Sequence, residues 1–347
     1  MTMLQSQTLP DTRREFIAAH FERTPEAKAL PADASPRRYY RLEVAPKLLM
    51  EVEPGAVDFE AFVRISRHLN ALGLSAPKIF SVDFERGLAL IEDFGHGTFT
   101  RLLAAGRSEE ELYGLAVDAL IHLHEAAGAT RIDVPDYDHG PLFEELAMFT
   151  DWFVPQCAPD CGAAAFNARF LDLWKAALSG VAGSRDALVL RDYHVDNLMV
   201  IEGREGIAAC GLLDFQDALI GSAAYDLVSL TQDARRAIDP VLEEQMIERY
   251  VAGRPGLDRQ QFLAEYWLLA AHRHTKILGN FERLSKRDGK HGYLVHLPHV
   301  ARLLDKALTH AGLDDIRAAM DEALPSWRDH APVAPNSLST SEAGRTP

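Results

Sequence analysis

Apolar residues fall into short runs over Tyr39–Val44, Lys47–Val52, Ile79–Val82 and Gly87–Glu92, a pattern that predicts four β-strands near the start of the chain. Between the second and third runs, Phe62, Ile65, Leu69 and Leu72 recur at spacings of three, four and three. That is the period of an amphipathic helix, and Gly73 stops it. From Thr98 onward helical periods dominate, as in Leu112, Leu115, Ala119, Leu120 and Leu123. The chain changes character once, which predicts an α+β protein with a small β-rich lobe over 1–93 and a larger, mainly helical lobe over 94–330. Residues 331–347 are rich in Pro, Ser and Thr and poor in large apolar groups, so a disordered tail is expected there.

One stretch departs from the helical pattern. In LVLRDYHVDNLMV, residues 188–200, the apolar arms Leu188–Leu190 and Leu198–Ile201 flank a polar loop, which reads as a hairpin-like element with charged groups at its mouth. A further apolar strand, Cys210–Leu213, ends on Asp214, with Asp217 three residues later. Asp192, Asn197 and Asp214 are thereby expected at the ends of adjacent strands. Two carboxylates and an amide are hard oxygen donors, a set that suits Mg²⁺ better than a softer metal. Phosphoryl transfer uses such a set: one carboxylate takes the hydroxyl proton, while an amide and a second carboxylate hold the metal that bridges the nucleotide phosphates.

Composition narrows the partners. The chain has 347 residues, enough for about two cores, and a formal net charge of −15 from 36 Lys plus Arg against 51 Asp plus Glu. That balance argues against nucleic acid or an anionic membrane as a general partner. The three cysteines are too few for a disulfide framework, and Cys157-x3-Cys161 lacks a second pair at zinc spacing. No run approaches the roughly 18 apolar residues of a membrane span, and MTMLQSQTLPDTRREF lacks the apolar core of a secretion signal. A cytoplasmic protein with free thiols is expected. His122-x-His124-Glu125 lacks the H-E-x-x-H spacing, and its neighbours Leu120 and Leu123 continue a core stripe, so it is not read as a metal site.

The segments LRDYHVDNLM, LLDFQDALIGSAAYDLVSL, DASPRRYYRL and HRHTKILGNFERLSKRDGKHGYL together resemble the N-acetylmuramate/N-acetylglucosamine kinases of bacterial cell-wall recycling, within the aminoglycoside phosphotransferase and choline kinase superfamily. The resemblance spans roughly residues 11–325. It implies a two-lobed protein-kinase-like fold, with ATP and Mg²⁺ in the cleft and an amino sugar on the helical lobe, phosphorylated at its anomeric hydroxyl. It makes Asp192 the catalytic base, Asn197 and Asp214 the metal ligands, and Asp226 a buried support for the catalytic loop. The backbone near Glu92 and Phe94 would meet adenine as the strand leaves the first lobe.

Two positions depart from the family pattern. Leu190 stands where a His often precedes the Arg, and Met50 stands where many kinases carry a phosphate-pairing Lys. Lys47 is three residues away, an odd spacing that turns it to the opposite face of the strand. In DASPRRYYRL, Ala34 and Ser35 are small enough for backbone approach to phosphate, with Arg37, Arg38 and Arg41 beside them. Ser35 and Arg38 are the candidate phosphate contacts, against the plainer reading of solvated surface arginines.

For the acceptor, Arg273, Lys276 and Asn280 share one flank of a helix beside a packed stripe. Arg273 or Lys276 meets an anionic substituent such as a lactyl carboxylate on one reading, and solvent on the other. His194, Gln216 and Asp217 adjoin the base and metal residues and are candidate partners of sugar hydroxyls. Met148, Phe149, Trp152 and Phe153 are read as core. Two other functions stay open: a kinase of the same fold for an aminoglycoside- or choline-like alcohol, and a nucleotide-binding protein without turnover. Intact Asp192, Asn197 and Asp214 weigh against the last, and the basic helix flank favours an amino sugar over a cationic acceptor.

Overall fold

The computed structural model describes residues 11–31, 37–43, 45–157 and 163–330. Ser35, Cys161 and the tail expected over 331–347 lie outside the described residues.

Five antiparallel strands open the chain: β1 (Ala27–Ala29), β2 (Arg38–Leu42), β3 (Lys47–Glu51), β4 (Ile79–Asp83) and β5 (Leu88–Glu92), in the order β1-β2-β3-β5-β4. Alternation gives the sheet two apolar faces. On one, Tyr40, Leu42, Leu49, Leu88 and Leu90 pack with Phe16 and Ile17 of the helix Asp11–Ala18. The next residue along β3, Met50, is fully buried, as is its cross-strand partner Ala89. The helix Val57–Ala71 follows β3, with Asp58 and Glu60 in its first turn complementing the helix dipole. It buries Phe62, Ile65 and Leu69 of the predicted stripe together with Phe59, while Leu72 caps its end half-buried, and it stops at Gly73, whose left-handed φ of 86° suits a residue without Cβ.

The chain divides into two compact units: residues up to Val134 together with Leu190–Ala218, and Pro135–Val189 together with the remainder from Leu219. The two apolar arms read as a hairpin do not pair with each other. The strand β6 (Ala187–Val189) pairs with β9 (Leu219–Gly221) in the second unit, whereas β7 (Leu198–Val200) pairs with β8 (Cys210–Leu212) in the first. The arms are fully apolar and without alternation, so their pattern could not say which strand each would join.

The second unit is built on the 30-residue helix Arg259–Asp288, capped by Asp258 on the Gln260 and Gln261 amides and ended by Gly289 at φ 67°. A π-helical turn, Phe149–Phe153, packs against it. Phe149 stacks on Phe153 at 5.1 Å, and both are core as predicted, while Met148 and Trp152 are half-buried. Among the described residues, no helix is long and apolar enough to cross a membrane.

Candidate active site

All the residues proposed for phosphoryl transfer belong to the first unit. Antiparallel pairing sets Leu198 opposite Leu212, and one step further the Leu213 amide donates to the Asn197 carbonyl at 3.0 Å. Asn197 and Asp214 therefore emerge side by side, with Asn197 Nδ2 3.5 Å from Asp214 Oδ2. The same Nδ2 donates to the Asp192 carbonyl at 3.0 Å, which ties the loop carrying Asp192 to the strand end. Further bonds hold that loop: Tyr193 Oη donates to the Ala116 carbonyl at 2.8 Å, and Thr100 bonds the Val195 carbonyl through its amide and Asp196 through its hydroxyl.

Arg191 at φ 70° and Asp214 at φ 57° adopt left-handed backbone, the two non-glycine residues to do so among the described residues. Such a conformation costs of order 1–3 kcal/mol and persists where surrounding contacts impose it. Here it aims the carboxylate of Asp214 out of the end of β8 while Phe215, fully buried, stacks on Phe62 at 5.3 Å.

Burial raises the pKa of Asp214, the charge of Asp192 raises it further, and the Gln216 hydrogen bond and the Arg37 charge oppose the rise. Two carboxylates that repel each other beside a carboxamide are suited to a hard divalent cation. Among the described residues no trio of His, Cys, Asp or Glu could hold a metal by itself. The donors fit Mg²⁺ in the mode that takes one or two protein carboxylates and completes its shell with phosphates and water.

Gln216 is a junction. Its Nε2 donates to Asp214 Oδ1 at 3.0 Å and Asp217 Oδ2 at 3.1 Å, and its Oε1 accepts from Arg37 Nη1 at 2.7 Å. Its amide is thus engaged on the protein. His194 is buried with Nε2 3.4 Å from Asn197 Nδ2, and Arg191 Nη1 reaches the Asp217 carbonyl at 3.4 Å.

The exit of β5 is pinned from two sides. The Glu92 amide donates to the Lys78 carbonyl at 2.9 Å, and its carboxylate pairs with Arg204, which also donates to Ser75 Oγ at 2.8 Å. Arg41 forks onto Asp93, with Nη2 2.8 Å from Oδ1, and reaches the Gly95 carbonyl at 3.0 Å. Phe94 joins Met199, Ile201 and Leu213 in an apolar cluster. Lys47 lies over the rings of Phe80 and Phe21, at 4.5 and 5.1 Å, on the face opposite Met50.

The two neighbouring arginines of this segment differ in their surroundings. Arg38 is exposed at the start of β2, whereas Arg37 is buried and bonds both Gln216 and Asp58 Oδ2, the latter at 2.7 Å. Nothing in the sequence singles out Asp58, and only its buried basic neighbour marks it.

Arg273 and Lys276 lie in the second unit and do not form the exposed flank expected of them. Arg273 is buried, donating to Ser229 Oγ at 2.7 Å over the ring of Tyr225. Lys276 Nζ sits 2.6 Å from Oε1 of buried Glu145, which also accepts from Tyr137 Oη at 2.6 Å. Seven consecutive residues of that helix, Leu269 to Thr275, are buried, so it has no solvated side at this point. Asp226 is likewise fully buried, on the helix Ala224–Thr231.

Residues 26–263 match the family model described as the phosphotransferase enzyme family. The chain is 39% identical over 308 residues to the N-acetylmuramate/N-acetylglucosamine kinase of Caulobacter vibrioides, covering 86% of this chain and 83% of that protein. It is 33% identical to the protein of the same name from Pseudomonas aeruginosa, covering 84% and 87%. In fold it is similar to a choline/ethanolamine kinase family protein from Mesorhizobium loti, at TM-score 0.57 and 14% identity over 92% of this chain and 99% of that one. An ADP-bound aminoglycoside phosphotransferase gives TM-score 0.57 at 12% identity, over 87% and 99%. These likenesses show a protein-kinase-like fold with a small antiparallel sheet and a larger helical part.

Proposed function

Because the chain belongs to the phosphotransferase enzyme family, we propose that it is an ATP- and Mg²⁺-dependent kinase for the anomeric hydroxyl of N-acetylmuramate and N-acetylglucosamine, forming the sugar 1-phosphate in cell-wall recycling. The observation that carries this reading is the Asn197–Asp214 pair, 3.5 Å apart and tied through Asn197 to the loop of Asp192.

In the step proposed, the anomeric oxygen forms a bond to the γ-phosphorus while the bond from that phosphorus to the β–γ bridging oxygen breaks, and ADP leaves with the electron pair. Asp192 accepts the hydroxyl proton. Asn197 and Asp214 hold Mg²⁺, which offsets phosphate charge when bound. The backbone of Glu92 and Phe94 meets adenine, with the Phe94, Met199, Ile201 and Leu213 cluster as its apolar support. Asp217 and His194 are assigned to sugar hydroxyls, while Gln216 positions Asp214. We assign the nucleotide to the lobe over 1–93, the acceptor to that over 94–330, and the activity to the cytoplasm.

The test is ATP consumption by the purified chain with Mg²⁺ and, separately, N-acetylmuramate, N-acetylglucosamine, an aminoglycoside and choline, with ³¹P NMR of the product. Turnover of both amino sugars, with phosphate on the anomeric oxygen, is expected. Turnover confined to the aminoglycoside or choline would overturn the acceptor assignment.

A further inference from the structure

The strand position from which a lysine would serve the nucleotide phosphates holds Met50, fully buried, and Lys47 is turned to the other face over Phe80. A triphosphate still needs positive charge at this place, because Asp192, Asp214 and Asp217 are already gathered there. We infer that Arg37 is the phosphate-facing cation of this chain and that Asp58 is the acid that holds it.

Three observations converge on Arg37. It is only 6% exposed, so its charge is not simply solvated. Its guanidinium is oriented by two bonds of 2.7 Å, Nη2 to Asp58 Oδ2 on the helix Val57–Ala71 and Nη1 to Gln216 Oε1. Its underside rests on Phe62, 5.6 Å from the ring centre, and Phe62 in turn stacks on Phe215, the residue after Asp214. A cation is thereby fixed beside the metal-binding strand end by an acid in the first turn of the helix Val57–Ala71. In protein kinases a strand lysine and a helix glutamate form such a pair. Here the cation comes from the residue before β2, and an arginine, permanently charged and planar, replaces the lysine. Gln216 links it to Asp214, so one amide aligns the phosphate cation with the metal ligand.

This inference rests on the kinase reading, and nucleotide binding measured without sugar separates the two. Calorimetric titration with ATP·Mg²⁺ and with adenosine should show Arg37→Met binding ATP about ten- to hundred-fold more weakly, the scale of a lost charge-assisted hydrogen bond. Adenosine affinity should be unchanged. Arg37→Lys should recover part of the loss because it restores charge without the fork, and Asp58→Asn should weaken ATP selectively and by less. Thermal unfolding of each variant reports whether the fold survives, and the ATP-to-adenosine ratio remains interpretable wherever adenosine still binds. Equal loss of ATP and adenosine, or unchanged ATP affinity in Arg37→Met, would overturn the assignment of Arg37 alone. Failure of the unmutated chain to bind ATP·Mg²⁺ at all would overturn it together with the kinase reading.

Discussion

Asn197 Nδ2 lies 3.5 Å from Asp214 Oδ2 across 17 residues of sequence, because the β7–β8 ladder ends with the Leu213 amide on the Asn197 carbonyl. The proximity is a product of strand register, and a slip of one residue would send the two side chains to opposite faces. Removing either oxygen donor should therefore weaken Mg²⁺ without unfolding the pair of strands. Asn197→Ala and Asp214→Ala are each expected to raise the Mg²⁺ concentration for half-maximal activity by about 10-fold or more, since even the loss of an outer-shell partner of a metal ligand costs about 10- to 100-fold in affinity. Mg²⁺ titrations that overlay the wild type would move the metal elsewhere.

Asp192→Asn keeps the shape of the loop and removes the proton acceptor. Turnover should fall by about 10²- to 10⁴-fold while the affinity for ATP·Mg²⁺ stays near that of the wild type. Single-turnover kinetics beside calorimetry separates these effects. Wild-type-like turnover would take Asp192 out of the mechanism.

Much of this site was readable in the sequence because its parts are local. Asp192 and Asn197 share one loop, and the apolar run before Asp214 marks a strand end. Side-chain direction was less readable. Arg37 and Arg38 are neighbours in extended chain and point opposite ways, and nothing in DASPRRYYRL sets which of them turns inward. The helix Arg259–Asp288 failed for another reason: its periodicity implied one buried stripe, but neighbours enclose it on every side from Leu269 to Thr275. Arg273 and Lys276 were thus read as a solvated or ligand-facing flank, when each has a partner inside the second unit.

Lys276 neutralises Glu145, whose carboxylate is buried and also takes the Tyr137 hydroxyl. Lys276→Met leaves that carboxylate without its cation and should cost about 3–5 kcal/mol by urea unfolding. The double variant Lys276→Met with Glu145→Gln should regain much of that loss. A rise in KM for N-acetylmuramate alone, with stability preserved, would instead return Lys276 to the role of reading the lactyl carboxylate.

Gly279 lies where the long helix crosses the π-helical turn, and an added Cβ would fall 2.1 Å from the Met148 carbonyl oxygen. Backbone, unlike the end of a side chain, cannot swing aside. Gly279→Ala is expected to destabilise by about 1–3 kcal/mol or more, seen as a lower denaturation midpoint. An unchanged midpoint would show that the two elements part easily.

His274 carries a pH dependence of its own. It is fully buried with Nε2 2.9 Å from Gln232 Oε1, and burial drives its pKa well below the ordinary value of 6.5, with the charges of Arg273, His299 and Lys306 adding to the effect. The imidazole is therefore neutral in the folded chain and binds a proton more readily once unfolded. Where the unfolded state holds more protons, stability falls with falling pH. His274 should add nothing to the pH dependence above about pH 7.5 and should erode stability progressively as the pH drops through 6.5. Urea unfolding at a series of pH values should show this loss in the wild type and a shallower slope in His274→Gln, which keeps a donor for Gln232 but cannot titrate. If the two slopes coincide between pH 7 and 5, the acid sensitivity of the second unit arises from other groups.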